Sequence, residues 1–114
     1  MLIRRTRIVV AVAVLALVCL AGIVSAADPP EIPLTIENKQ FQPAEVKVKA
    51  GAPFVLVITN KNTAASEFES KDLRVEKVIP AGQTMKVRIR ALKPGSYAFF
   101  DDFNKQSTGR IVAE

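Results

Sequence analysis

The chain has 114 residues, with 16 Lys and Arg against 11 Asp and Glu, for a formal charge of +5. This length allows one domain at most. There is no histidine, and the single cysteine, Cys19, lies near the N-terminus. Residues 27–114 therefore cannot contain a disulfide bond or a metal site that uses His or Cys ligands. Because Arg4, Arg5 and Arg7 account for most of the excess charge and no basic block follows, nucleic-acid binding is not expected.

The N-terminal segment has the three parts of a secretory signal peptide. Met1–Arg7 is basic, Ile8–Val24 is apolar and uncharged, and Ser25 and Ala26 supply the small residues of a cleavage site. We predict that residues 1–26 are a signal peptide cleaved after Ala26, with cleavage after Ala27 nearly as good. Export across a bacterial inner membrane would place the mature chain in the periplasm. The alternative is an uncleaved membrane anchor, since the apolar run is close to spanning length.

The first half of residues 27–114 reads as short strands separated by turns. Leu34–Glu37 alternates apolar and polar residues, and Glu45–Lys49 does so strictly, with its valines pointing inward. After a turn at Gly51, Pro53–Asn60 is the most apolar segment outside the leader. Both of its faces are apolar, which predicts a central strand buried on both sides.

The second half continues in the same way. The predicted strands and turns are Glu67–Glu69, a Pro80–Gly82 turn, Thr84–Arg90 with Met85 in the core, a Pro94-Gly95 turn, the aromatic strand Ser96–Phe100, and Gly109–Ala113 as a last edge or pairing strand. No segment has a convincing helical repeat. Several short strands with Gly and Pro punctuation predict an all-β Greek-key sandwich over residues 27–114.

Five segments together resemble the cupredoxin-like family. They are Val48–Gly51, Thr59–Asn62, Glu67–Glu69, Pro80–Gly82 and Leu92–Tyr97, in matching order and spacing across nearly all of residues 27–114. The likeness is strongest to the EfeO-type cupredoxin-like domain of bacterial periplasmic iron-uptake systems. The resemblance implies a cupredoxin-like β-sandwich.

The sequence departs from that family at the positions of the copper ligands. Ser66 stands where a blue-copper protein has a histidine, Asp101 replaces the cysteine, and Asn104 lies near the position of the downstream histidine. Thiolate and imidazole ligands make the blue-copper site. We therefore expect no type 1 copper centre and no electron transfer through one.

The resemblance implies instead a metal site built from carboxylates. Glu67, Glu69 and Glu76 fall where EfeO-type domains have acidic residues proposed for metal binding, and Asp101 and Asp102 follow the aromatic strand at the rim. Clustered carboxylates repel one another until a proton, a cationic side chain or a metal neutralises them. Oxygen ligands suit iron, manganese, calcium or cupric copper. All five acids are candidate ligands, and iron or copper is the expected ion.

Other interpretations of these residues stay open. The acids could form a solvated rim balanced by Lys71, Arg74, Lys77 and Lys105. Asp101-Asp102 could bond to backbone amides in a turn, an alternative that weighs more for Asp102 than for Asp101. If Glu69 and Asp101 are metal ligands, replacing either by Ala should abolish any metal-induced stabilisation. The metal-free protein should then be equally or slightly more stable, because like-charge repulsion would fall. Asn104 could add a carbonyl oxygen to a cation, and Tyr97 is expected to pack with its hydroxyl paired.

The sequence supports two candidate functions. The first is a periplasmic protein that binds iron or copper, is accessory to bacterial iron uptake, and passes its ion to an inner-membrane iron permease or a periplasmic iron-binding protein. The second is a metal-free interaction or scaffold module, and fold alone cannot choose between them. No enzyme is expected, because the sequence has no histidine and no serine nucleophile with a recognisable base; assisted ferrous-iron oxidation is the one exception.

Overall fold

The computed structural model describes residues 27–114, which form nine β-strands. The predicted signal peptide, residues 1–26, lies outside the described residues. The strands are β1 (Glu31–Glu37), β2 (Gln40–Gln42), β3 (Glu45–Val48), β4 (Phe54–Asn60), β5 (Ser66–Ser70), β6 (Val75–Ile79), β7 (Thr84–Ile89), β8 (Gly95–Asp101) and β9 (Asn104–Ala113). Within residues 27–114, no helix has the length and apolarity needed to cross a membrane.

The strands form two sheets that pack face to face. One sheet has the order β2-β1-β4-β7, and the other has the order β3-β9-β8-β5-β6. The pairs β1/β4 and β3/β9 are parallel, and the remaining pairs are antiparallel. Parallel neighbours distant in sequence require the chain to cross between the sheets, as in a Greek-key sandwich. The predicted all-β sandwich is confirmed.

Strand alternation decides which side chains enter the core. On β4, Phe54, Leu56 and Ile58 are buried, whereas Val55 and Val57 are half-buried. The inner face of β4 is thus fully covered and its outer face only in part. The outer valines stand opposite Arg88 and Lys86 on β7, whose aliphatic stems can cover apolar surface. Burial of β4 on both sides is therefore less complete than the sequence predicted.

Three phenylalanines join the two sheets beneath one end of the sandwich. The ring centroid of Phe41, on β2, lies 4.9 Å from that of Phe99 and 6.2 Å from that of Phe68, edge to face in both cases. A Cβ atom at Gly109 would come within 2.4 Å of the Phe99 ring and 2.8 Å of the Ala44 carbonyl oxygen. Glycine at this point of β9 therefore lets the ring pack against the strand.

The last strand is longer and more central than predicted. It begins at Asn104 instead of Gly109 and pairs with β3 on one side and β8 on the other. The edge position considered for Gly109–Ala113 is therefore wrong, and the pairing position is correct. The β8–β9 register shifts between Phe100 and Asp101. Residues 105–107 of β9 lie between the partners of Asp101 and Phe100, whereas on its other side Asp101 continues the regular pairing with β5, opposite Phe68.

Candidate metal site

Three of the five predicted acids meet on the outer face of the β5–β6 pair. Glu69 and Glu76 are directly opposite partners in this antiparallel pair, and Glu67 lies two residues before Glu69 on the same face. One carboxylate oxygen from each residue can be chosen so that all three lie within 4.8 Å of one another. We call Glu67, Glu69 and Glu76 the glutamate cluster.

The three glutamates of the cluster differ in their exposure to solvent. Glu67 is only 8% exposed, Glu69 is half-buried and Glu76 is exposed. Like charges directly opposite one another destabilise a sheet, and burial of one of them adds a desolvation cost. This arrangement disfavours three free carboxylates and favours a proton or cation among them.

Cationic side chains do not neutralise the cluster in residues 27–114. No Lys or Arg nitrogen in this range lies within 4.0 Å of a carboxylate oxygen of the three glutamates. Lys77 stands opposite Phe68 and so faces the other side of the sheet from Glu76. Lys105 reaches Asp102 instead, with 3.9 Å between Nζ and Oδ1. Of the five predicted acids, only Asp102 therefore has a cationic partner among residues 27–114, as a balanced acidic rim would require.

The protonation of Glu67 reflects its neighbours. A side-chain hydrogen bond with Glu76 is the largest of the causes that raise the pKa of Glu67, and burial is the next. Repulsion from Glu76, Asp102 and Glu69 adds to them, and the pKa of Glu67 rises from 4.5 to about 7. The site therefore holds a proton on Glu67 in mildly acidic solution and is ready to exchange it for a cation near neutrality.

Asp102 lies beside the cluster without belonging to it. Its backbone N–H donates to the Glu67 carbonyl oxygen at 2.9 Å, which keeps the β8–β9 turn against β5. The half-buried Asp102 carboxylate adds negative charge near Glu67. It therefore strengthens the attraction of this face for cations.

Asp101 has a different environment from the three glutamates. It is 2% exposed, and its Oδ1 accepts hydrogen bonds from the backbone N–H groups of Glu67 at 2.9 Å and Phe103 at 3.0 Å. It stands opposite Phe68, on the inner face of the sheet. The structure thus gives Asp101 the turn-forming role that the sequence assigned more readily to Asp102, and it does not bring Asp101 into the glutamate cluster.

A cleft of about 590 Å³ opens at this end of the sandwich. We call it the pole cleft. It lies between the β1–β2 turn, the β4–β5 loop and the β8–β9 turn. Ser66, Asp101 and Asn104, which occupy the positions compared above with copper ligands, all line it. A hydroxyl, a carboxylate and an amide are hard donors and do not fit a blue-copper centre.

The loop beside the cleft is held by Asn60, the last residue of β4. Asn60 is fully buried, and its Nδ2 donates to the carbonyl oxygens of Ala64 and Ile79, both at 2.9 Å. Its Oδ1 accepts from the Asn62 N–H, also at 2.9 Å. The sequence favours Asn60 and Asn62 as loop formers, and these hydrogen bonds confirm that role.

Comparison with known protein families agrees with this architecture. The model of the cupredoxin-like domain family matches residues 8–113. The chain belongs to the cupredoxin-like domain family. The uncharacterised protein RP394 of Rickettsia prowazekii (strain Madrid E) is 32% identical over 82 residues. The aligned region covers 72% of this chain and 66% of that relative.

Several copper proteins share the fold of this cupredoxin-like chain. The metal-binding domain of the Streptococcus pneumoniae D39 Cu(I)-exporting ATPase CopA matches with a TM-score of 0.67 and 15% identity, over 74% of this chain and 84% of that one. Amicyanin from Paracoccus versutus matches with a TM-score of 0.59 and 19% identity, over 78% and 84% of the two chains. Auracyanin A from Chloroflexus aurantiacus, a blue copper protein, matches with a TM-score of 0.64 and 13% identity, over 75% and 99%.

Proposed function

We propose that this cupredoxin-like protein binds an iron or copper ion through Glu67, Glu69 and Glu76. The observation that carries the proposal is that an oxygen from each of these side chains lies within 4.8 Å of the other two, with no cationic side chain of residues 27–114 paired to them. A cation about 2.0–2.6 Å from each ligand separates two ligand oxygens by at most about twice that distance. The three oxygens therefore need little movement to share one ion.

The chemistry of the cluster favours hard or borderline cations. Carboxylate oxygens suit ferric and ferrous iron, and also accept cupric copper, manganese and calcium. Cupric copper bound here would lack a thiolate ligand. Its complex is therefore expected to have no intense blue absorption band, and such a band in the purified protein would contradict the assignment to carboxylates.

We further propose that the protein is periplasmic and accessory to bacterial iron uptake. The signal-peptide pattern of residues 1–26 and the EfeO-type resemblance support this proposal. Mass spectrometry of a periplasmic fraction should detect a chain that begins at Ala27 or Asp28, and a full-length chain found only in membranes would reject cleavage of the signal peptide. Deleting the gene should slow uptake of radioactive iron by iron-limited cells, and unchanged uptake would remove the iron pathway from the proposal.

The decisive experiment measures the thermal stability of the purified protein with and without ferrous iron, cupric copper, manganese and calcium. A ligand that binds only the native state stabilises it by about 2.7 kcal/mol at a hundredfold excess over its dissociation constant. We expect at least one ion to raise the melting temperature. Glu69→Gln and Glu76→Gln should each remove most of this rise.

Glu31→Gln is the matched control. Glu31 is an exposed acid on the other sheet, and its removal should leave the metal-induced rise intact. If no ion changes the melting temperature, or if the cluster variants respond like the parent, the metal site is refuted. The interaction module would then be favoured, with Val78 and Phe103 as its exposed apolar side chains, 45% and 56% exposed.

A further inference from the structure

We propose that the pole cleft binds a small zwitterion, an α-amino acid with an apolar side chain. The cleft's volume of about 590 Å³ lies within the range of about 300–1,000 Å³ that is usual for small-molecule sites. This site is distinct from the glutamate cluster, because Asp101 faces inward from the same sheet whose outer face carries the three glutamates. The proposal does not depend on metal binding.

Two buried polar atoms that border the cleft, Ser66 Oγ and Asp101 Oδ2, have no hydrogen-bond partner within residues 27–114. Ser66 is 2% exposed, and no hydrogen bond to its Oγ is found within residues 27–114. Asp101 uses Oδ1 for both of its backbone amides, and in the same range no donor reaches its Oδ2. Every described side-chain oxygen or nitrogen that is sealed from water has a partner. Ser66 Oγ and Asp101 Oδ2 are therefore open to the cleft that both residues line.

A primary ammonium group matches the two free acceptors at the bottom of the cleft, Asp101 Oδ2 and Ser66 Oγ. It carries three N–H donors and a positive charge, whereas Asp101 Oδ2 is an acceptor and Ser66 Oγ can accept as well. Hydrogen bonds between ammonium and carboxylate are stronger than those between neutral groups. The two backbone amides on Oδ1 hold the carboxylate in one orientation, so the ligand meets a fixed acceptor.

The rim of the cleft selects against a simple amine. Lys39 and Lys61 are exposed there, and neither has a carboxylate oxygen within 4.0 Å among residues 27–114. The backbone of Lys39 is fixed, because its N–H donates to Asn62 Oδ1 at 3.3 Å and its carbonyl oxygen accepts from Ser107 Oγ. Glu37 offsets one of the two positive charges. The remaining positive charge at the opening favours a ligand that also has a carboxylate.

An exposed aromatic ring supplies the apolar part of the site. Phe103 is 56% exposed and lines the cleft immediately after the two aspartates. A large exposed apolar side chain beside a cleft marks a surface that can contact a ligand. An apolar amino-acid side chain would cover this ring, and its ammonium and carboxylate groups would reach Asp101 and the rim lysines.

The test is a titration of the purified protein with L-phenylalanine, followed by calorimetry and by amide chemical shifts. We expect saturable binding with shifts at Ser66, Asp101 and Phe103. N-acetyl-L-phenylalanine, which lacks the ammonium charge, and L-phenylalanine amide, which lacks the carboxylate, should both bind more weakly. Asp101→Asn keeps an oxygen for the two backbone amides but removes the charge, and should weaken binding by at least about tenfold.

Two further variants separate this site from the metal site. Lys61→Gln should weaken L-phenylalanine binding by a smaller factor, and Glu76→Gln should leave it unchanged. The proposal is overturned if L-phenylalanine does not saturate, if the N-acetyl compound binds equally well, or if Asp101→Asn binds like the parent. Equal binding of the amide would also overturn it, because a peptide N-terminus would then be the better ligand. None of these results bears on the metal-induced melting shift.

Discussion

Glu67 and Asp101 are two carboxylates of one sheet with opposite environments. They are joined by a single hydrogen bond, since the Glu67 backbone N–H donates to Asp101 Oδ1 at 2.9 Å. Asp101 faces inward and has two amide donors, whereas Glu67 faces outward among other carboxylates. The face of the sheet, and not the acid itself, decides whether a carboxylate here supports the fold or is destabilised until a proton or a cation neutralises it.

The two environments have opposite effects on the stability of the folded protein. Two backbone N–H donors satisfy the hydrogen-bonding capacity of Asp101 Oδ1, so Asp101 can remain buried without a metal. Neighbouring carboxylates disfavour the charged form of Glu67, so Glu67 raises the free energy of the folded state when the whole cluster is ionised. The same substitution should therefore have opposite effects in the two places.

The largest effect is expected for Asp101→Ala. It leaves the buried Glu67 N–H and the part-buried Phe103 N–H without an acceptor. An unsatisfied buried group costs about 1–3 kcal/mol, and a part-buried group costs less because water can reach it. We expect urea unfolding to give a loss of about 2–4 kcal/mol. This is the reverse of the sequence-based expectation that Ala would leave the protein equally or more stable.

Asp101→Asn provides the matched comparison, because its amide oxygen can still accept from both N–H groups. Most of the stability should return in this variant. If Asp101→Ala unfolds at the same urea concentration as the parent, the turn-forming role of Asp101 is refuted.

A smaller effect is expected from pH, because water at the open side of the cluster screens the exposed Glu76. The folded-state pKa of Glu67, about 7, lies above the unfolded value of 4.5, so the folded protein binds more protons between these values. Its contribution to stability is fully present below about pH 4.5 and is lost as the pH rises through about 7. Urea unfolding of the metal-free protein across this range should show stability falling with rising pH.

Glu67→Gln is the control for that pH dependence. Glutamine has no proton to lose, so the fall in stability between about pH 4.5 and 7 should flatten. In the parent, the affinity for a metal ion should rise as the stability falls between about pH 4.5 and 7, because the ion must displace the proton of Glu67. Equal pH profiles for variant and parent would show that another group causes the dependence.

The smallest effect is expected for an exposed carboxylate that already has a cation. Glu31 Oε1 lies 2.6 Å from Lys86 Nζ, with the two side chains 54% and 63% exposed. Exposed pairs contribute about 0–1 kcal/mol, so Glu31→Gln should change the free energy of unfolding by no more than this. A larger loss would mean that surface pairing, and not the sheet face, governs the stability of these acids.

The sequence by itself determined the fold class and most of the strands. Alternation in Glu45–Lys49 and Thr84–Arg90 fixes which side chains face inward, because side chains on a strand point to opposite faces in turn. The same rule placed Glu67 and Glu69 together. The sequence alone also excluded a blue-copper site in residues 27–114, because it has no histidine and no cysteine beyond Cys19.

Only the tertiary structure decided which of the acids meet. The pairing of β5 with β6 sets Glu76 opposite Glu69, and the pairing of β8 with β5 sets Asp101 opposite Phe68, within reach of the Glu67 amide. Alternation along β8 places Asp101 on the same face as Phe99, but it cannot reveal these neighbours, because they depend on which strands pair and in what register. A shift of one residue in a strand moves every side chain to the opposite face.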